Sequence, residues 1–400
     1  MSYGKRKIFN DPVYGLISFN HDVLYSIIDH PYMQRLRRIS QQALSHYVYP
    51  GALHTRFHHA LGALHLMTEA LEILTGKGVH ISEQEKRGVC IAILLHDAGH
   101  GPFSHALEHV LINIRHEELS VSIMNRIEKE LGEDFTLARK IFQNDYDRPF
   151  LNQLVSGQLD MDRLDYLTRD SYFSGVAEGV IGYDRIIRML HVVDDQLTVE
   201  EKGLYSVEKF LVARRIMYWQ VYLHKTVIAA EQMLISIMKR ASWLVSQQKH
   251  VECSMALRML LYQRENQGSE ELLGAFLTLD DTDILHMIKC GLYAEDFIFR
   301  TLCTNLLHRR LFKVKLQNTP LDQSWKNDLR LKILEKLPID ESEIHYFLTE
   351  KTETNTLYNS QEGEIIIRSK DGTPRPFSHY YPDFYIKNDE EKFVFIYYSV

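Results

Sequence analysis

Seven apolar residues in a row, 89–95, run directly into His96 and Asp97. Gly99, Gly101 and Pro102 follow within the next five positions. So hydrophobic a run belongs in a protein interior, so the His-Asp doublet must emerge from the core. The glycines and proline then end the helix, and His100, His105 and His109 lie just beyond. A neutral imidazole beside a carboxylate suits a borderline or hard divalent cation. Such a cation can lower the pKa of a bound water and supply a nucleophile at neutral pH. A lone doublet of this kind also fits a helix C-terminus, with a favourable histidine and a solvated aspartate. Its companions decide between the two.

The 400 residues carry an ordinary apolar fraction of 45%, which makes one large globular domain or two. A formal net charge of −7 argues against non-specific nucleic-acid binding. An anionic small substrate needs only a local cationic pocket. Cys90, Cys253, Cys290 and Cys303 have no CxxC spacing, so neither a zinc ribbon nor a disulfide framework is expected. No signal-peptide core and no 18-residue apolar stretch is found. The expectation is a cytoplasmic protein without a membrane span. Histidine is abundant, 20 in all, and is concentrated early in the chain.

Helical periodicity covers 57–74, 85–95, 206–244 and 284–310. Residues 195–205 alternate and contain Lys-Gly, which predicts a short hairpin. The polar stretch 263–271 is the best internal linker. Beyond about Glu350, segments 364–368, 384–387 and 392–398 read as strands, with a turn at 370–372. The chain is therefore mainly α, with a helical core over 1–245 and a smaller mixed α/β C-terminal region over 246–400.

Three helical faces carry polar groups. His58 shares a stripe with His65, Glu69 and Glu72, which predicts solvent contact, whereas His59 falls with Ala63, Leu66, Ala70 and Ile73 and points inward. An inward histidine must hydrogen-bond or bind a metal. On 158–170, Asp162, Tyr166 and Asp170 lie four residues apart on one face; a charged, exposed helix is the plainer reading. Within 206–244, Arg214, Tyr218, Tyr222 and Lys225 form a cationic and phenolic stripe. It suits phosphate, or long side chains reaching out of a core helix.

Arg56-Phe57-His58-His59, His96-Asp97 and Asp162 in DxxDY reproduce an ordered H…HD…D set. In this the chain resembles the HD-domain metal-dependent phosphohydrolases, and the wider frame resembles their deoxynucleotide triphosphohydrolase branch. The shared segments are NDPVYG, QRLRRI, YPGALHTRFHH, HDAGHGPFSH and MDRLDYLTRD, and the likeness spans roughly 7–225.

The resemblance implies an HD-type helical core and four metal ligands, His59, His96, Asp97 and Asp162. The set does not choose among Fe, Mn, Zn, Ni and Mg. It implies His116 for proton transfer, oriented by Glu108 where the family usually has aspartate, and His100 and His105 near the phosphates. Arg214 and Tyr222 match triphosphate- and nucleotide-contacting positions, Arg163 keeps the charge of a family lysine beside the metal aspartate, and Arg56 and Lys225 join them as substrate-binding candidates. Tyr218 stands where a family member has histidine. Gln41 and Asp170 match groups that hold the 3′-hydroxyl, and Tyr166 the ring beneath the sugar. Lys7, Ile8, Asp29, Gln34 and Arg37 match a regulatory nucleotide site between subunits, which implies a dimer or tetramer.

The expected activity is hydrolysis of deoxynucleoside triphosphates to deoxynucleoside and triphosphate. Its rivals are a phosphodiesterase or nucleotidase acting on another ester, and a nucleotide sensor with little turnover.

Overall fold

The structure, a computed structural model, describes residues 7–262, 269–317, 322–355, 363–382 and 391–398. It opens with a hairpin, β1 (Phe9–Asp11) and β2 (Gly15–Ile17), then α1 (Asp22–Asp29) and α2 (Pro31–Arg35). The helical core follows: α3 (Arg56–Gly76), α4 (Glu83–Leu95), α5 (Ser104–Leu107), α6 (His116–Leu131), α7 (Thr136–Phe142), α8 (Pro149–Val155), α9 (Met161–Ser174) and α10 (Tyr183–Met189). A hairpin of β3 (Leu190–Val193) and β4 (Gln196–Glu200) leads to α11 (Leu204–Met217) and α12 (Lys225–Ser246).

Next come α13 (Met255–Tyr262), α14 (Glu270–Phe276), α15 (Asp281–Gly291), α16 (Phe297–Leu307), β5 (Lys313–Gln317), α17 (Gln323–Lys336) and β6 (Leu348–Asn355). The last elements are β7 (Ile366–Arg368), β8 (Pro374–Pro376), α18 (Phe377–Tyr380) and β9 (Glu391–Tyr398). The protein is mainly α, as its periodicity predicts. No helix of the described residues is long and apolar enough to cross a membrane.

The core is α3 against α4 and α9. Residues 89–95 of α4 are all buried, so the helix delivers His96 from inside the molecule. α3 crosses α9 at Gly62, where a Cβ would lie 2.0 Å from an Asp165 oxygen. Only glycine permits that approach. At Gly99 a Cβ would meet the His116 carbonyl at 2.1 Å, so its absence lets the α4 exit turn press on the start of α6. Ser120 completes the joint, donating to the His96 carbonyl at 2.7 Å and accepting from Gly99 N–H at 2.9 Å.

The C-terminal region is joined to this core. Strand β7 pairs in parallel with β4, giving the sheet order β3-β4-β7-β8, and β9 lies between β5 and β6. Strands at 366–368 and 391–398 agree with the sequence reading, as does the turn at 370–372, where Gly372 has φ +88. The strand expected at 384–387 lies outside the described residues, as does most of the expected linker.

Three expectations need correction. The helix expected over 206–244 is interrupted by a π-helical turn at Tyr218–Tyr222 and a break before Lys225, so Arg214, Tyr218, Tyr222 and Lys225 do not share one straight face. The helix expected over 284–310 is two helices, α15 and α16. The hairpin turns at Asp194 and Asp195, with φ +50 and +55, and not at Lys202-Gly203, which forms a 3-10 turn. Two consecutive positive φ values suit a tight hairpin, and aspartate tolerates them.

Candidate metal centre and phosphohydrolase site

Thr55 caps α3 in a box closed by the His58 ring, whose Nδ1 accepts from Thr55 N–H at 3.1 Å. His58 is thus half-buried and serves the cap, a role its solvent-facing stripe did not suggest. One residue on, His59 is fully buried. Its Nδ1 is 2.8 Å from Asp165 Oδ2, and the His96 Nδ1 is 2.6 Å from the Ile93 carbonyl. Both partners are acceptors, so each Nδ1 carries a hydrogen and each Nε2 turns to the centre. Burial lowers both imidazoles, but Asp162 and Asp165 outweigh it and raise His59 to about 10, and Asp97 and Asp162 raise His96.

Those two Nε2 atoms face each other at 3.2 Å. Asp162 Oδ1 lies 3.0 Å from the His59 Nε2 and 3.4 Å from the His96 Nε2. Asp97 places its oxygens 3.7 and 3.5 Å from the same two atoms. Two ring nitrogens set between two carboxylates call for positive charge, from protons on the rings or from a metal ion. Metal–ligand bonds of about 2.0–2.2 Å set neighbouring donors roughly 3 Å apart. The donor set therefore fits one divalent metal ion held by His59, His96, Asp97 and Asp162.

Arg56 is buried and serves this centre. One guanidinium nitrogen bonds Asp97, and the others donate to Ser104 Oγ at 3.1 and 2.6 Å. Burial pushes the Asp97 carboxyl up, but Arg56 with His96 and His100 outweighs it and holds Asp97 well below the usual range. Arg56 thus holds a ligand in place, and its guanidinium is engaged by protein.

His116 begins α6 and receives Glu108 on its Nδ1 at 2.7 Å. That hydrogen bond holds Glu108 down to about 2. Burial pulls the His116 imidazole down, but the Glu108 hydrogen bond and the Asp97 charge outweigh it, and the net shift is upward. His100 stacks on His116 with centroids 4.0 Å apart, and its Nε2 reaches Asp97 at 3.3 Å. Burial, reinforced by Arg56, pushes His100 down to about 3. The stacked pair thus joins a neutral ring to one that holds its proton readily. His105 lies in α5, and its side chain falls outside the described residues.

α9 presents Asp162, Tyr166 and Asp170 on one face. At its far end Asp170 takes His54 Nε2 at 2.7 Å on one oxygen and the Tyr222 hydroxyl at 2.6 Å on the other. Burial and the neighbouring Asp170 raise the Tyr222 phenol well above its ordinary value, so it stays a donor. Tyr166 lies 6.3 Å from the Tyr222 ring. Gln41 joins the group through its N–H, which donates to the His54 carbonyl at 3.0 Å.

Arg163 donates to the Gly157 carbonyl at 2.6 Å, and Arg214 to Gln158 Oε1 at 3.2 Å. Lys225 is exposed at the start of α12 and Tyr218 is half-buried. The N-terminal candidates also come together. Lys7 pairs with Asp29, Gln34 donates to the Ile28 carbonyl at 2.7 Å, and Arg37 donates to Gln34 at 2.8 Å, with Ile8 exposed.

Two parts of the site escaped the sequence reading. His54 sits inside a quoted motif, but nothing in its spacing marks it as the partner of Asp170. Asp165 and Arg169, fully buried on the adjoining stripe of α9, form a bidentate pair at 3.0 Å, and Arg169 also bonds Asp11 at 2.8 Å. An i,i+4 acid–base pair looks the same in sequence whether buried or solvated.

Known proteins share this arrangement. The HD domain model matches residues 56–170 and the HD associated region model residues 181–259. The protein YwfO of Bacillus subtilis is 31% identical over 317 residues, covering 77% of this chain and 72% of that one. A crystal structure of a phosphohydrolase from Bacteroides thetaiotaomicron superposes with a TM-score of 0.95 at 45% identity, covering 99% of this chain and 100% of that one. The deoxynucleoside triphosphate triphosphohydrolase SAMHD1 homolog of Dictyostelium discoideum is 32% identical over 248 residues. That match covers 57% of this chain and 48% of the relative, so it spans about half of that protein's length. With His59, His96 and Asp97 close enough together to hold a metal ion, the chain belongs to the HD-domain family of phosphohydrolases.

Proposed function

We propose that this phosphohydrolase cleaves deoxynucleoside triphosphates to deoxynucleoside and triphosphate. One observation carries the reading: a single face of α9 has Asp162 of the metal set at one end and Asp170, held by His54 and Tyr222, two turns away. Eight residues of helix span roughly 12 Å. Tyr166 stands between them, where a sugar bridging the ends would rest and where a 2′-hydroxyl would meet the ring. The SAMHD1-like relative supports the same substrate class.

A divalent cation at the four ligands supplies an activated water and neutralises phosphoryl charge. The protein's own groups do the rest. His116, kept protonated by Glu108, gives its proton to the departing 5′-oxygen. Arg163, Arg214 and Lys225 stabilise the phosphate chain. His100 stays neutral and packs against His116. Asp170 and Gln41 accept and donate at the 3′-hydroxyl. The N-terminal patch of Lys7, Ile8, Asp29, Gln34 and Arg37 takes a regulatory nucleotide in a homo-oligomer. If GTP or dGTP changes neither the oligomer distribution nor the rate, that part fails alone.

The test is to incubate the protein with each dNTP, rNTP and monophosphate, plus Mn, Mg, Fe or Zn, and to identify the products. Inorganic triphosphate from dNTPs, with little from rNTPs, supports the reading. Tyr166→Ala should then relax the sugar preference. Equal use of both sugars would overturn the deoxyribose assignment, and phosphate or a monophosphate as product would favour another ester.

A further inference from the structure

Asp281, at the start of α15, lies beyond both regions matched by the family models. It is buried, and its two oxygens serve two distant segments. Oδ1 accepts from Phe103 N–H at 2.9 Å, and Oδ2 accepts from Ser40 N–H at 2.8 Å. We propose that Asp281 is a positioning residue for the phosphohydrolase site, one carboxylate that sets the loop after the His-Asp doublet and the segment leading to Gln41.

The loop needs such a hold. Phe103 has φ +44, a left-handed conformation that a bulky L-residue seldom adopts. Backbone of this kind persists only where its neighbours over-determine it. The next residue, Ser104, is the acceptor that aligns Arg56, and Arg56 in turn bonds the metal ligand Asp97. On the other arm, Ser40 leads to Gln41, whose N–H meets the His54 carbonyl, and His54 holds Asp170. One side chain therefore stands a few contacts from each end of the site.

Arg35 fixes the same junction, donating to the carbonyls of Leu279, Ala98 and His100, each at 2.9 Å. The choice of side chain follows from the donors. Two backbone N–H groups on separate segments need two acceptor oxygens, and an amide offers only one. Asp281→Asn would turn an NH2 toward one of them.

The inference rests on the phosphohydrolase activity and not on the deoxyribose reading, so kcat and KM are measured on whichever phosphate ester the wild type turns over fastest. Asp281→Asn should lower kcat about 100-fold, the scale of a misplacement near 1 Å, with KM changed less and metal content unaltered. Asp280→Ala is the control. It removes the cap of the same helix and its pair with Arg38 but leaves both oxygens of Asp281 in place. It should lower the thermal midpoint while kcat holds. Near wild-type kcat in Asp281→Asn, or an equal loss in Asp280→Ala, would overturn the proposal. So would an Asp281→Asn protein that fails to fold or loses its metal, because Asp281 would then belong to the fold alone.

Discussion

Two adjoining stripes of α9 carry similar residues in different surroundings. On one, Asp165 and Arg169 are fully buried, and Asp165 divides its oxygens between Arg169 and His59. On the other, Asp162 keeps its side chain 30% exposed and points one oxygen at two imidazole nitrogens. Asp165 is neutralised within the protein by Arg169. Asp162 and Asp97, gathered about the same two ring nitrogens, make a donor set that fits a divalent cation. The stripes meet at His59, whose Nδ1 faces Asp165 and whose Nε2 faces Asp162.

That contrast can be broken in several ways. The largest effect should come from the chemical side. His116→Ala should lower turnover roughly 100- to 10,000-fold, the usual range for a general acid–base group, with metal content near wild type. Steady-state kinetics beside elemental analysis would show it, and a near-normal rate would remove His116 from the mechanism. On the buried stripe, Asp165→Ala leaves Arg169 buried without its main partner. Losing one member of such a pair costs about 3–5 kcal/mol, to be read in chemical denaturation of the metal-free protein.

A smaller effect sharpens the roles of Glu108 and His116. The His116 imidazole is raised above its ordinary value, so its proton is held to higher pH than a free imidazole's and lost as pH rises through that raised value. Activity that needs it should fall on the alkaline side. Glu108→Gln removes the chief raising contact and leaves burial, which lowers. The alkaline limb should therefore move to lower pH in a kcat profile. An unmoved limb would detach Glu108 from the proton.

Much of this was legible in the sequence because it is local. The burial of 89–95 follows from its unbroken apolar run, and the inward turn of His59 and the shared face of Asp162, Tyr166 and Asp170 follow from helical spacing. The pairing of His116 with Glu108, implied by resemblance, is met at 2.7 Å. What stayed hidden is long-range or lacks a residue signature. The π-helical turn at Tyr218–Tyr222 contains neither glycine nor proline, so nothing in its composition announces it. Asp281 meets Phe103 across 178 residues and Ser40 across 241, separations that no periodicity reports. The Asp194-Asp195 turn did leave a signal, since adjacent aspartates accept positive φ, but the nearby Lys-Gly outweighed it.

The claim at stake is that Asp162, on the partly exposed stripe of α9, completes a metal centre. It is tested most directly by metal stoichiometry in Asp162→Ala, measured with the denaturation midpoint of the metal-free protein. Asp162 pairs with the two imidazole nitrogens and keeps its side chain 30% exposed, so its removal should empty the site and shift the metal-free midpoint much less than Asp165→Ala does. A variant that copurifies with as much metal as the wild type, or one that unfolds as Asp165→Ala should, would contradict the claim.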